Sequence, residues 1–165
     1  MCTNHSSYER SALREITKMH ISTLVDGPEH FVQSAGLVEP RAAKPQLAQV
    51  LQHIVGIQHA AACTTAKRAR ISEWEIVARG DIVVAKSNDG STVVGFVDFH
   101  GCIAVGDDSL CLTCIKLLDL ESSQLRKQRW ARSDKVLAVP TSDVQTALLW
   151  ADVGEGKVVT LKTIR

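Results

Sequence analysis

The chain has 165 residues, with 19 lysines and arginines against 18 aspartates and glutamates. Hydrophobic residues make up 45% of it, which provides enough apolar surface for a folded core and excludes a chain too polar to fold. The net charge of +1 excludes a globally basic nucleic-acid binder. No apolar run reaches the roughly 20 residues that a membrane-spanning helix needs, so we expect no membrane partner.

The first 70 residues have helical periodicity. Apolar residues recur at three- and four-residue steps between Tyr8 and Val25, which predicts a first helix. Residues 26–45 are predicted to be a connector, and Pro45 suits the first turn of a second helix.

The second predicted helix carries an apolar stripe. Its members are Leu47, Val50, Leu51, Ile54, Ile57 and Ala61. The cations Lys67, Arg68 and Arg70 are predicted near its C-terminus, where they would suit the negative pole of the helix dipole. The sequence therefore predicts an antiparallel helix pair, and the stripe at 47–61 could pack on the rest of the chain or on a second copy.

From Trp74 onward, short β-branched runs alternate with turn residues. The clearest signal is Asn88-Asp89-Gly90 between two apolar runs, which predicts a hairpin joining 82–85 to 92–99. Further runs follow at spacings typical of small antiparallel sheets. We therefore predict an α+β fold, in which a helical segment (1–70) precedes a small antiparallel β-barrel or sandwich domain (71–165).

Part of the β region resembles a known group of folds. Gly80-Asp81-Ile82-Val83-Val84 and the returning strand Val94-Gly95-Phe96-Val97 are similar to the opening hairpin of SH3-like small β-barrels, including bromo-adjacent-homology domains. The resemblance covers about residues 80–118. It implies a module that binds proteins, in a chromatin-associated setting.

One local pattern has the residue types of a zinc site. His100, Cys102, Cys111 and Cys114 could supply one imidazole and three thiolates to a tetrahedral ion. However, residues 110–115 read as a strand without a turn, in which Cys111 and Cys114 would point to opposite faces. The preferred interpretation is that the cysteines are small buried side chains and that no cofactor is bound.

A second pattern is a basic segment at 126–135, with five cations, one anion and a tryptophan. Its candidate binding residues are Arg126, Lys127, Arg129, Trp130, Arg132 and Lys135. Cations attract phosphates or acidic side chains, and an indole can stack on an unpaired base. The alternative is a solvated edge strand that is protected from aggregation by its charge.

These patterns favour an intracellular interaction module without catalytic activity. The five cysteines are an odd number and residues 1–7 contain no apolar signal segment, so we expect a cytoplasmic or nuclear protein. The expected partner is another protein. The alternatives are nucleic acid bound through 126–135 and 67–70, or a role as the accessory domain of a larger enzyme.

Overall fold

The computed structural model describes residues 36–57, 62–105 and 107–161, and these residues are mostly β-structure. Helix α1 spans Pro45–Val55, and a short 3-10 helix spans Thr141–Asp143. The strands, in chain order, are β1 (Gly36–Val38), β2 (Arg41–Ala42), β3 (Cys63–Ala66), β4 (Arg68–Arg70), β5 (Ile76–Ala78), β6 (Ile82–Lys86), β7 (Thr92–Val105), β8 (Asp108–Ser123), β9 (Lys127–Pro140), β10 (Val144–Leu148), β11 (Trp150–Gly154) and β12 (Lys157–Leu161).

The predicted fold class is wrong. The described residues contain a single α-helix and a curled antiparallel sheet, in place of a helix pair followed by a barrel. The first predicted helix, 8–25, lies outside the described residues. Within the predicted connector, residues 36–38 and 41–42 form short strands. The helix has neither the length nor the apolarity of a membrane span in this part of the chain.

Helix α1 begins where the sequence predicts but ends early. Pro45 occupies its first turn, and Gly56 terminates it in a left-handed conformation with φ of 73°. The predicted extension through residues 67–70 is therefore wrong, because these residues lie in or beside β4. Leu51 and Ile54 of the apolar stripe are buried against β7 and β8 of the same chain.

The predicted hairpin is present as β6 and β7. The strands pair from Lys86↔Thr92 to Ile82↔Phe96. The turn is closed by Asp89, whose carboxylate accepts hydrogen bonds from the Ser91 N–H (2.8 Å) and the Ser87 hydroxyl (2.6 Å). These bonds lower the pKa of Asp89 to about 2.

Three long strands organise the main sheet, whose order is β10-β6-β7-β8-β9-β12-β11. The first part of β7 pairs with β6, and its second part pairs with β3. β8 likewise pairs with the end of β9 and then, further along, with its beginning. Each long strand therefore belongs to two regions of the sheet.

Irregularities in pairing let these strands bend. Asp98 is an extra residue in β7, between the pairs Val97↔Ile115 and Phe99↔Cys114. In β9, the three residues 133–135 lie opposite the single β8 residue Leu117. Because bulges bend strands and increase their twist, they account for the curl of the sheet.

The curl brings the two ends of the sheet together. β10 and β11 are its outermost strands, yet only Leu149 separates them in the chain. β10 pairs with β6 up to Leu148↔Ile82, and β11 pairs with β12 from Trp150↔Thr160. One continuous segment therefore leaves one edge of the sheet and joins the other.

The core consists of three clusters along the curled sheet. The first, around Leu51 and Leu112, joins α1 to the sheet. The second, around Val97 and Ile115, lies in the middle. The third contains Ile82, Leu118, Trp130 and Val158. Each fully buried aliphatic side chain stabilises the fold by about 1.5–3 kcal/mol.

The close approach of β7 to β8 predicts that Gly95→Ala is strongly destabilising. A Cβ at Gly95 would meet the backbone carbonyl of Lys116 and the side chain of Ile115, and backbone cannot move aside cheaply. We expect a loss of about 1–3 kcal/mol in the free energy of unfolding, measured by urea denaturation. The control is Gly36→Ala, which meets nothing within 4 Å and should be neutral or slightly stabilising. Equal effects of the two changes would contradict this packing.

Candidate binding groove

An open groove of about 380 Å³ is lined mainly by residues from the bent parts of β7, β8 and β9. Gly80, just before β6, and Trp150, the first residue of β11, complete this lining together with Arg79. Three of the residues that interrupt regular pairing, Asp98, Leu117 and Ser133, also line it. The same bends that curl the sheet therefore shape the groove.

Two cations share one carboxylate in this groove. The Asp98 Oδ1 atom lies 3.3 Å from Lys116 Nζ and 3.6 Å from Arg79 Nη2. Asp98 is partly buried, whereas the Arg79 and Lys116 side chains are 64% and 55% exposed. Exposed ion pairs contribute only about 0–1 kcal/mol each, so both cations can exchange Asp98 for another anion at little cost.

A third cation sits over an aromatic pair. The Arg132 guanidinium lies 4.8 Å from the centroid of the Phe96 ring and 3.3 Å from Asp152 Oδ2. Phe96 contacts Trp150 edge to face, with ring centroids 5.1 Å apart and an interplanar angle of 87°. Such ring pairs are favourable by about 0.5–1.5 kcal/mol beyond their burial. Trp150 remains 40% exposed despite this contact.

The groove and its rim therefore combine apolar rings with a small excess of positive charge. Three cations, from Arg79, Lys116 and Arg132, face two carboxylates, from Asp98 and Asp152, which leaves a net charge of +1. The lining includes no histidine or cysteine. The described residues also contain no cluster of three or more His, Cys, Asp or Glu side chains suited to a metal. This chemistry is suited to binding an anion next to apolar surface.

The predicted basic segment is only partly in this groove. Residues 127–135 belong to β9, between β8 and β12, so they form no edge strand. Of the six predicted binding residues, Arg132 lines the groove, while Arg126, Lys127, Arg129 and Lys135 are exposed outside its lining. The strand alternation that the sequence predicts places Lys127 and Arg129 on the opposite face from Arg132.

Trp130 is a core residue. It is 7% exposed and belongs to the third core cluster. Its indole N–H donates a 2.9 Å hydrogen bond to the Thr160 hydroxyl, which satisfies the one polar group of the ring. Trp130 therefore offers no free face to a partner, and Trp150 is the tryptophan at the groove.

The four candidate zinc ligands do not form a common donor set. Cys102 and Cys111, directly opposite each other in β7 and β8, are joined by a disulfide and offer no thiolate. Cys114 is buried in the first core cluster, and burial raises the pKa of its thiol. His100 is buried as well, with its Nδ1 atom 3.0 Å from the Thr113 hydroxyl.

Sequence patterns carried little information about the groove. Arg79, Phe96, Lys116 and Trp150 are separated widely in the chain and match no spacing motif. Trp150 follows Leu148 and Leu149 in an apolar run, where no sequence pattern marks it as exposed. Comparison with protein-family models, curated proteins and solved structures finds no match to this chain. The candidate site is therefore assigned from its geometry alone.

Buried His100 predicts a loss of stability in mild acid. Burial lowers its pKa to about 4, although the Val77 backbone and the Asp81 carboxylate act in the opposite direction. An unfolded histidine has a pKa of about 6.5, so between pH 6.5 and 4 the unfolded chain binds the proton first. Above about pH 6.5, His100 therefore does not lower the free energy of unfolding. Below that pH the free energy of unfolding falls as the pH approaches 4.

The test compares the wild type with His100→Gln, which keeps a hydrogen-bonding group near Thr113 but does not titrate. Between pH 7 and 4.5, the wild type should lose about 2 kcal/mol more of its free energy of unfolding than the variant. Urea denaturation at the two pH values measures this difference. Equal losses would show that His100 does not titrate as its burial requires.

Proposed function

We propose that this chain is a non-catalytic interaction module that binds an acidic segment of a partner protein in the groove. The observation that supports this most is the meeting of Arg79, Lys116 and Arg132 beside Phe96 and Trp150. Carboxylates of a partner can replace Asp98 and Asp152 on these cations. Apolar parts of the same segment can pack on the exposed face of Trp150.

Two features favour a protein segment over nucleic acid. Asp98 and Asp152 leave the groove and its rim a net charge of +1, which is too small to match the continuous row of charges on a nucleic-acid backbone. Single-stranded nucleic acid is usually held by an extended basic track with several stacking rings. In this groove Trp150 is exposed, while Phe96 is covered by Arg132 on one face.

The resemblance noted in the sequence supports the same class of function. The hairpin that is similar to SH3-like barrels supplies Gly80, Phe96 and Val97 to the groove. Domains of that type bind protein segments, so the region of resemblance and the candidate site overlap in this chain.

The proposal predicts that a short acidic peptide binds through the groove cations. The probe is a fluorescein-labelled ten-residue peptide of alternating Glu and Thr, and binding is measured by fluorescence anisotropy. Arg132→Ala and Lys116→Ala should each weaken binding about tenfold, which corresponds to about 1.4 kcal/mol. Raising the salt concentration should also weaken binding, because the groove charges are exposed.

The matched control is Lys127→Ala, which removes one positive charge from the opposite face of β9 and should leave the affinity within about twofold of wild type. A labelled ten-residue oligothymidine tests the nucleic-acid alternative. The proposal fails if the acidic peptide does not bind, if Lys127→Ala weakens it as much as Arg132→Ala does, or if the oligonucleotide binds more tightly than the peptide through the same residues.

A further inference from the structure

The strand that borders the groove has an unpaired edge. β11 pairs with β12 on one side, and within residues 36–57, 62–105 and 107–161 no strand pairs with its other side. All five of its residues are exposed. Such an edge is a template for an additional strand.

The alternation of hydrogen-bonded and non-bonded pairs between β11 and β12 shows which backbone groups of β11 point to its free edge. The Leu161 N–H donates to the Leu149 carbonyl oxygen at 3.0 Å, so this pair is hydrogen-bonded. Hydrogen-bonded and non-bonded pairs alternate in antiparallel strands. The next pair, Trp150↔Thr160, is therefore non-bonded, Ala151↔Val159 is bonded, and Asp152↔Val158 is again non-bonded. The N–H and C=O groups of Trp150 and Asp152 consequently point to the free edge.

This free edge and the groove are adjacent. Trp150 belongs to both, and the Asp152 carboxylate holds Arg132, which lines the groove. β10 pairs with β6 up to Leu148, whereas β11 pairs with β12, so the chain changes its pairing partner at Leu149. A strand added to β11 would therefore lie next to the groove that the three cations line.

From this arrangement, we propose that the partner segment binds by strand addition: it is an extended acidic peptide that pairs with the free edge of β11. The inference rests on the proposed function and adds its mode of recognition. Main-chain hydrogen bonds to Trp150 and Asp152 hold the peptide, and side-chain contacts select it. Charge complementarity identifies the occupant, because Arg79, Lys116 and Arg132 line the groove that Trp150 of this edge strand also lines.

Strand addition fixes the sequence pattern of the ligand. Alternate side chains of an extended peptide point to the same face, so only every second residue can reach the groove cations. The best ligands therefore carry acidic residues at every second position. A peptide with the same composition but with its Glu residues in one block should bind about tenfold more weakly.

The test of the mode is backbone N-methylation of the alternating Glu/Thr probe. One version carries N-methyl groups on the Glu residues, and the other carries them on the Thr residues. In an added strand, only one of these two sets donates to β11, so one version should lose at least tenfold in affinity. The other version should stay within about threefold of the unmethylated probe.

Two substitutions in the protein test the same edge of β11. Asp152→Pro removes the outward N–H, and proline is tolerated on the free side of an edge strand. Asp152→Ala removes the same carboxylate but keeps the N–H, so it is the matched control. Asp152→Pro should bind the unmethylated probe at least tenfold more weakly than Asp152→Ala, with both variants showing the same far-ultraviolet circular dichroism.

The outcomes separate the two proposals. If the unmethylated probe binds and Arg132→Ala weakens it, but both N-methylated versions bind equally well, strand addition is wrong and the groove function stands. If the unmethylated probe does not bind, the groove function itself fails. If the chain forms dimers that Asp152→Pro dissociates, a second copy occupies the edge and the acidic-peptide occupant is wrong.

Discussion

The bending of β7, β8 and β9 is the constraint on which the rest of the structure depends. Asp98 in β7 and residues 133–135 in β9 interrupt regular pairing, and the long strands turn at these places. The resulting curl allows three core clusters to form on one continuous sheet. It also brings together the two ends of the sheet, where the outermost strands β10 and β11 are separated by one residue of the chain.

The candidate site follows from the same bending. A regular flat sheet would keep its two ends far apart and would leave no groove beside Trp150. Because the sheet curls, charged residues from β7, β8 and β9 meet beside Trp150. Their ion pairs are exposed and weak, so the groove keeps cations that can exchange partners. The bent strands thus produce both the curled sheet and the candidate binding groove.

Local signals in the sequence predicted local structure. Pro45 marked the start of α1, and Asn88-Asp89-Gly90 marked the β6–β7 hairpin. The second predicted helix was too long because periodicity did not reveal that Gly56 ends it. The Cys102–Cys111 disulfide was missed because its residues are opposite each other only after β7 and β8 pair. Long-range pairing likewise placed Trp150, and not Trp130, at the groove.

The most direct test of the central claim uses the three tryptophan indole N–H signals in a nitrogen-15 correlation spectrum. Titration with the acidic peptide should shift the signal of Trp150. The buried Trp130 and the exposed Trp74, which does not line the groove, provide internal controls and should not move. A Trp150 signal that stays in place, or a shift confined to Trp74, would contradict the account.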